Sequence, residues 1–271
     1  MGAEAPHIVP MLEAMARAGL KTVELSSNLC HAGPDRDPAF IAALREALQP
    51  FTTVTVHGGT TAIDAHDQEP LDLERLDVYV RLMDFGQAVG ARYATFHPLM
   101  PHKYDLMLTP HFEDEATVAQ HVEAGRCLID LAHRHHQVIG FEVFDHRIAE
   151  GLSDDGWGIL FDIGHASQNG ARPPFGDVTE QAVAMIDSRF HRVVQFHLHG
   201  VARVDGTLKA HQPLDDENLI DYARIIRMLD ERQFGGPLLF EIIRKGGRTL
   251  PFEEALAATV AAREGLRRAL N

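Results

Sequence analysis

Seven short apolar runs, separated by amphipathic segments of helical periodicity, constrain this chain more than any other feature. The runs lie at 20–26, 51–58, 91–98, 138–144, 157–165, 192–200 and 237–243, and the helical segments lie near 8–18, 38–48, 71–89, 115–135, 178–188, 215–232 and 252–269. Strands that alternate with helices predict a parallel sheet with right-handed crossovers. Over 271 residues, this unbroken rhythm predicts one α/β domain, 1–271, with the TIM (β/α)8-type barrel fold.

The barrel pattern is one strand short, because its first recognisable element is a helix. Strand one would have to lie in or before "MGAEAPH", so we expect it to be missing or very short. A doubly wound sheet is the structural alternative. The nucleotide-binding motifs GxGxxG and GxxxxGK[ST] are both absent from the sequence, which weakens that alternative.

Composition excludes several classes of protein. The formal net charge of -14 argues against binding to nucleic acid through phosphates. No apolar run is long enough for a membrane span, and the N-terminus lacks the pattern of a signal peptide. With only two cysteines, Cys30 and Cys127, we expect a cytoplasmic location and no cysteine-based zinc site. The expected partner is a small-molecule substrate, and a homo-oligomer stays open.

Period-two alternation predicts which side chains share a face of each strand. In the run 192–200, Val194 and Phe196 fall on one face, and His197 and His199 fall on the other. The same rule gives every strand from the second onward a polar face that ends in histidine or a carboxylate. The residues at those C-terminal ends are His57, His97, Glu142, Asp162, His197 and Glu241. Because the C-terminal ends of barrel strands share one mouth, we expect these side chains to lie together.

Carboxylates and imidazoles gathered at a barrel mouth predict a metal site. Burying the carboxylates without compensation would cost several kcal/mol each. Mixed nitrogen and oxygen ligands suit Zn, Mn or Fe, and we expect one to three ions. His165, His199 and His211 extend the set from the following loops. Other histidines, His66, His102, His111 and His121, are expected in loops or on the surface.

The motifs "FDIGHA" and "FHLHG…H.PL" resemble those of the xylose-isomerase-like barrel superfamily, which includes sugar isomerases and epimerases and the second family of apurinic endonucleases. The resemblance runs from "GLKTVELS" to "LLFEII". It implies a barrel with a metal site at the strand ends.

The two branches of that superfamily imply different metal sites. In the isomerase branch one metal would be held by Glu142, Asp162, His197 and Glu241. The endonuclease branch adds His57 and His97, with Glu142 bridging two metals. A third metal in that branch would use His165 and His211, but Lys209 stands where that branch has aspartate, which leaves water or Asp205 as a substitute.

The extra histidines favour a metal-dependent hydrolase of a small phosphodiester, because clustered metals suit in-line displacement. The string "HLHGV…DG…H.PL" is also similar to that of cobamide-remodelling phosphodiesterases. The alternative is a single-metal sugar or sugar phosphate isomerase or epimerase, and a third class is a metal-free binding barrel. Under these interpretations the catalytic residues are Glu142, Glu241 and His165, and the substrate-binding residues are His199, His211, Lys209 and Glu24.

Overall fold

The computed structural model describes residues 7–26, 37–59, 76–97, 115–142, 146–152 and 156–270. The chain divides into two compact units, Met1–Leu160 and Phe161–Asn271. The boundary falls inside a strand of the parallel sheet, Trp157–Asp162. The single domain expected over 1–271 stays a prediction.

The first unit alternates helices with parallel strands. Its strands are β1 (Thr22–Ser26), β2 (Thr53–Gly59), β3 (Tyr93–His97), β4 (Val138–Glu142) and the start of β5 (Trp157–Asp162). Its helices are α1 (Ile8–Arg17), α2 (Pro38–Leu48), α3 (Leu76–Val89), α4 (Glu115–Arg134) and α5 (His146–Gly151). Neighbouring strands pair in parallel from β1 to β5. All these strands therefore end at the same edge of the sheet.

The register of the first unit brings its polar side chains onto one face. Glu24 lies opposite Thr55, and His57 lies opposite Thr95. Paired residues point to the same side of a sheet, so the faces predicted from alternation for β2 and β3 are confirmed, and Glu24 of β1 lies on that polar face. The other face buries apolar side chains such as Val56 and Phe96.

The second unit contains the end of β5 and the remaining elements. Its strands are β6 (Val193–Leu198), β7 (Gly200–Val204), β8 (Thr207–Gln212), β9 (Leu238–Phe240), β10 (Arg244–Lys245) and β11 (Arg248–Thr249). Its helices are α6 (Ile163–Ser167), α7 (Val178–Arg189), α8 (Tyr222–Glu231) and α9 (Phe252–Leu270). β6 and β9 pair in parallel, whereas β7–β8 and β10–β11 are antiparallel hairpins. The rings of Phe161 and Phe196 are fully buried and contact each other in the core.

The strand order of the parallel sheet is β1-β2-β3-β4-β5-β6-β9. This order confirms the α/β class and the seven strands that the apolar runs predicted. The first described strand, β1, is the run predicted at 20–26, and it follows helix α1. Residues 1–6 lie outside the described residues. Among the helices of the described ranges, none combines the length and apolar character of a membrane span.

Three expectations about local structure need correction. The helix expected over 215–232 begins only at Tyr222, because Asp221 accepts a hydrogen bond from the Arg224 amide and caps it there. The loop expected at "LKAHQPL" is largely strand β8. His121, expected at the surface, lies in α4 and is buried. His66, His102 and His111, like residues 71–75 of the expected third helix, lie outside the described residues.

Candidate metal centre

Asp162, at the end of β5, is the most enclosed carboxylate of the second unit. Its Oδ1 atom accepts a hydrogen bond of 2.7 Å from the amide of His165 and so caps the short helix α6. Its two oxygens lie 3.0 and 3.1 Å from Nε2 of His199. The side chain is 0% exposed, so its charge must be balanced by protein groups or by a ligand.

His197 lies beside Asp162 and Glu241. Its Nδ1 atom is 3.7 Å from Oδ2 of Asp162 and 3.5 Å from Oε2 of Glu241. Its Nε2 atom lies 3.3 Å from the side-chain amide nitrogen, Nε2, of Gln195, which stands two residues earlier on the same face of β6. Asp162 is inaccessible to solvent, whereas the side chain of Glu241 is 35% exposed. The group therefore has an end closed to solvent at Asp162 and a solvent-accessible end at Glu241.

Both carboxylates are ionised at neutral pH. Burial alone would raise the pKa of Asp162, but the imidazoles of His199, His165 and His197 hold it well below its usual value. Burial likewise acts to raise the pKa of Glu241, and the imidazoles of His197 and His211 hold that pKa well below its usual value. Two anionic carboxylates beside several imidazole nitrogens form a donor set for a divalent cation.

Three imidazole rings pack together next to Glu241. The ring centroids of His165, His199 and His211 are separated by 4.2 to 4.9 Å. One ligand atom from each of these histidines and one from Glu241 all lie within 4.8 Å of one another. Burial lowers the pKa of His211 to about 4, so its ring is neutral at pH 7. At that pH, the His211 ring offers a lone pair to a cation and no positive charge to an anion.

His211 reaches this cluster through an irregular backbone. The β7–β8 ladder shifts register between Gly200 and Ala202, and His211 has a φ of 60°. Such a bulge redirects a side chain that a regular strand would point elsewhere. As a result, Nδ1 of His211 lies 3.6 Å from Oε2 of Glu241.

The first unit holds a separate polar network. Oε2 of Glu24 accepts hydrogen bonds from the hydroxyls of Thr55 (2.9 Å) and Thr95 (3.3 Å). The Thr95 hydroxyl also lies 2.9 Å from Nδ1 of His57, whose Nε2 is 3.6 Å from Oε2 of Glu142. Glu24 therefore orients His57 through Thr95. Its predicted role in binding substrate stays a prediction.

The predicted site residues fall into these two units. The structure brings together Asp162, His165, His197, His199, His211 and Glu241 in the second unit, and Glu24, His57 and Glu142 in the first. Lys209 is exposed on β8, while Asp205 occupies the exposed turn of the same hairpin. The side chain of His97 lies outside the described residues. The roles predicted for all these residues stay predictions.

Sequence reasoning missed two residues that support the centre. Gln195 could have been found, because it lies two residues before His197 and strand alternation puts the two side chains on one face. Tyr222 could not, because its hydroxyl bonds the backbone of His199, 23 residues away, and no local pattern reports that contact.

Carboxylate oxygens and imidazole nitrogens are ligands that suit a divalent transition metal. The ionised state of Asp162 and Glu241 and the convergence of His197 on both fit such an ion. The residues of the second unit that would hold it are Asp162, His197 and Glu241.

Comparison with solved structures gives neighbours with the same fold. The chain is similar to a xylose isomerase-like TIM barrel protein from Mycobacterium smegmatis in complex with magnesium, at 16% identity and a TM-score of 0.69, over 99% of this chain and 89% of that chain. It is similar to D-allulose 3-epimerase from Methylomonas sp., at 15% identity and a TM-score of 0.70, over 99% and 94%. It is also similar to D-psicose 3-epimerase with D-tagatose from Clostridium cellulolyticum, at 13% identity and a TM-score of 0.68, over 97% and 94%.

The comparison with curated proteins finds no match. The family model described as xylose isomerase-like TIM barrel matches residues 12–268, which is nearly the whole chain. This match confirms the barrel fold predicted from the alternation of strands and helices, and the resemblance carried by "FDIGHA" and "FHLHG". The chain belongs to the xylose isomerase-like TIM barrel family.

Proposed function

We propose that this protein is a divalent-metal-dependent isomerase or epimerase of a small sugar. The observation that carries the proposal is the convergence of His197 Nδ1 on Asp162 and Glu241, at 3.7 and 3.5 Å. The sugar epimerases among the structural neighbours support this function over the phosphodiester hydrolase expected from the histidine count.

A metal held by Asp162, His197 and Glu241 would polarise the carbonyl of the bound sugar and make the neighbouring C–H bond more acidic. Gln195 holds the His197 ring from behind, since its amide lies 3.3 Å from Nε2. Such support fixes the orientation of a ligating imidazole.

Glu241 is the residue we assign to proton transfer. Its carboxylate is ionised, because its pKa is held well below the usual value against the effect of burial, and 35% of its side chain is exposed. It would take the proton from the carbon next to the carbonyl. In isomerisation that proton passes to the neighbouring carbon, whereas epimerisation needs a second proton donor that protonates the same carbon from the opposite face of the sugar.

The test is proton exchange on ketohexoses. The protein is incubated in D₂O with magnesium or manganese and D-psicose, D-fructose or D-tagatose, and the products are followed by NMR. We expect deuterium at a single carbon and a new epimer or isomer. Glu241→Gln should lower the rate about 100-fold or more, since it removes both the base and one of the three proposed metal ligands. The control Glu254→Gln changes an exposed carboxylate on α9 and should leave the rate unchanged.

The second candidate is the phosphodiester hydrolase, favoured by imidazoles that isomerisation does not require. These are His57, 3.6 Å from Glu142, and the three-histidine cluster. The hydrolase would replace the epimerase proposal if the protein hydrolysed bis(p-nitrophenyl) phosphate and His57→Ala lost that activity. The protein would then also bind two or three metal equivalents and show no proton exchange on any ketose. One metal equivalent with exchange on a ketose would support the epimerase proposal.

A further inference from the structure

The hydrogen bonds of His199 determine which of its ring nitrogens carries the proton. The backbone amide of His211 donates to Nδ1 of His199 at 2.9 Å. Nδ1 also lies 3.4 Å from the carbonyl oxygen of Gly200, a longer contact than the one from the His211 amide. Because an amide proton can be accepted only by a nitrogen that has its lone pair, the shorter contact makes Nδ1 unprotonated. The neutral ring therefore carries its proton on Nε2, which lies 3.0 and 3.1 Å from the two oxygens of Asp162. Both nitrogens of His199 are engaged by protein groups.

The backbone of His199, like its ring, is hydrogen-bonded on both sides. The hydroxyl of Tyr222 donates to the carbonyl oxygen of His199 at 2.8 Å and accepts from its amide at 3.2 Å. Tyr222 is buried and opens helix α8, so one side chain satisfies both backbone groups just beyond the end of β6. On the other side, Gly164 lies so close to the ring that a Cβ atom there would overlap Cε1 and Nδ1 of His199.

His199 in turn holds two parts of the centre. Through Nε2–H it fixes the rotation of the Asp162 carboxylate. Through Nδ1 it accepts the hydrogen bond of the amide of His211, a residue with a φ of 60°. The carbonyl of His211 is tied down as well, by a 3.2 Å bond from the amide of Ile243.

We propose that His199 is a positioning residue for Asp162 and for the His211 bulge, and that Tyr222 positions His199. His199 is fully buried, so this role differs from the substrate contact expected from the sequence. The inference rests on the proposed function in one respect: it assumes that Asp162, His197 and Glu241 bind a divalent metal ion. Its first test needs no substrate, so a failed epimerase assay would leave it standing.

The first test is the tautomer of His199, read from imidazole ¹⁵N shifts of the histidine-labelled protein and assigned with a His199 variant. We expect an unprotonated Nδ1 and a protonated Nε2 at neutral pH. Titration with Zn²⁺ should change the signals of His197 and leave the His199 tautomer as it is. A proton on Nδ1, or loss of the Nε2 proton on adding Zn²⁺, would overturn the proposal, because His199 would then be a ligand.

Two substitutions separate the two bonds of His199. Asparagine places its oxygen one bond beyond Cγ, as Nδ1 is, and keeps an acceptor for the His211 amide. Glutamine places its nitrogen two bonds beyond Cγ, as Nε2 is, and keeps a donor for Asp162. His199→Asn should raise the Kd for Mn²⁺ about 10-fold or more, the usual effect of losing a group that orients a ligand. His199→Gln should bind Mn²⁺ more tightly than His199→Asn, but should exchange the His211 amide proton faster than wild type.

Equal loss of Mn²⁺ affinity in both variants, with an unchanged His211 amide, would contradict the proposal. Tyr222→Phe tests the outer contact and keeps the packed ring. We expect it to weaken Mn²⁺ binding and to speed exchange of the His199 amide. The control Tyr79→Phe removes a buried tyrosine hydroxyl from the first unit and should leave the Mn²⁺ affinity unchanged. If both tyrosine variants change Mn²⁺ affinity equally, Tyr222 has no positioning role.

Discussion

At the scale of single residues, the metal centre depends on the absence of a side chain at Gly164. Gly164 is a buried residue of α6, and the ring of His199 occupies the space where a side chain would begin. Glycine is needed at this position for space, because the ring and its two hydrogen bonds would have to move to admit a methyl group.

Gly164→Ala should therefore lower the free energy of unfolding by about 1–3 kcal/mol, the range for overpacked sites. Alanine in a helix normally has the opposite effect, by up to about 1 kcal/mol. Urea denaturation measures the difference. Gly265→Ala on α9 is the matched control, since the nearest atom to its new methyl is 4.0 Å away, and it should be neutral or stabilising. Equal effects of the two substitutions would refute the steric argument.

The low pKa of His211 predicts a pH dependence of stability in the metal-free protein. Burial, together with His199 and His165, lowers this pKa to about 4 against the opposing effect of Glu241 and Asp162. Between about pH 6.5 and 4 the unfolded chain binds a proton that the folded chain does not, so stability falls as the pH is lowered.

The matched variant is His211→Asn, because asparagine tolerates the positive φ of this position. Urea denaturation in the presence of a chelator should show a steeper loss of stability for wild type than for the variant between pH 6.5 and 4. The two curves should diverge by at most about 3 kcal/mol across this window. Parallel curves would mean that the folded state does not hold this imidazole neutral.

The residues of the centre were predictable to different degrees. Alternation along β5 and β6 placed Asp162 and His197 on one polar face, since that pattern is local to each strand. The position of His211 depends on a register shift in β8, and no periodicity in the sequence encodes it.

At the scale of elements, the parallel strands were easier to predict than the hairpins. Each parallel strand is an apolar run flanked by segments of helical periodicity. The strands of the structure lie within the predicted runs or overlap them, and differ from them by a few residues at the ends. The β7–β8 hairpin is short and half exposed, so its composition resembles a loop. Its usable signal was the pair Asp205–Gly206, with φ values of 48° and 79°, typical of a tight hairpin turn.

Gly206→Ala should destabilise this hairpin through the backbone alone. No atom lies within 4 Å of the new methyl, but a φ of 79° is strained for alanine by about 1 kcal/mol. Hydrogen exchange should become faster in β7 and β8. Gly235→Ala, which also has open space but no positive φ, is the control and should leave exchange unchanged. Similar exchange in both variants would contradict the strain argument.

At the scale of the whole molecule, metal binding should stabilise the folded chain, because the ligands are assembled only there. A divalent ion at about 100 times its Kd adds about 2.7 kcal/mol, which corresponds to a rise in Tm of roughly 5–10 °C for a chain of this size. Differential scanning fluorimetry with Mn²⁺, reversed by a chelator, measures this rise.

Glu241→Gln should remove most of the Mn²⁺-dependent rise, and Glu254→Gln should keep it. Glu254 is a fair control because its exposed pair with Arg248 contributes little to stability. A rise that survives in Glu241→Gln would place the ion elsewhere.

The contrast between the 0% exposed side chain of Asp162 and the 35% exposed side chain of Glu241 has a consequence for engineering. Libraries that vary Asp162, Gly164 or His199 should return mostly inactive or unfolded proteins. Libraries that vary solvent-accessible residues near Glu241, and keep Glu241 itself, can change substrate specificity and leave the buried residues of the metal centre intact.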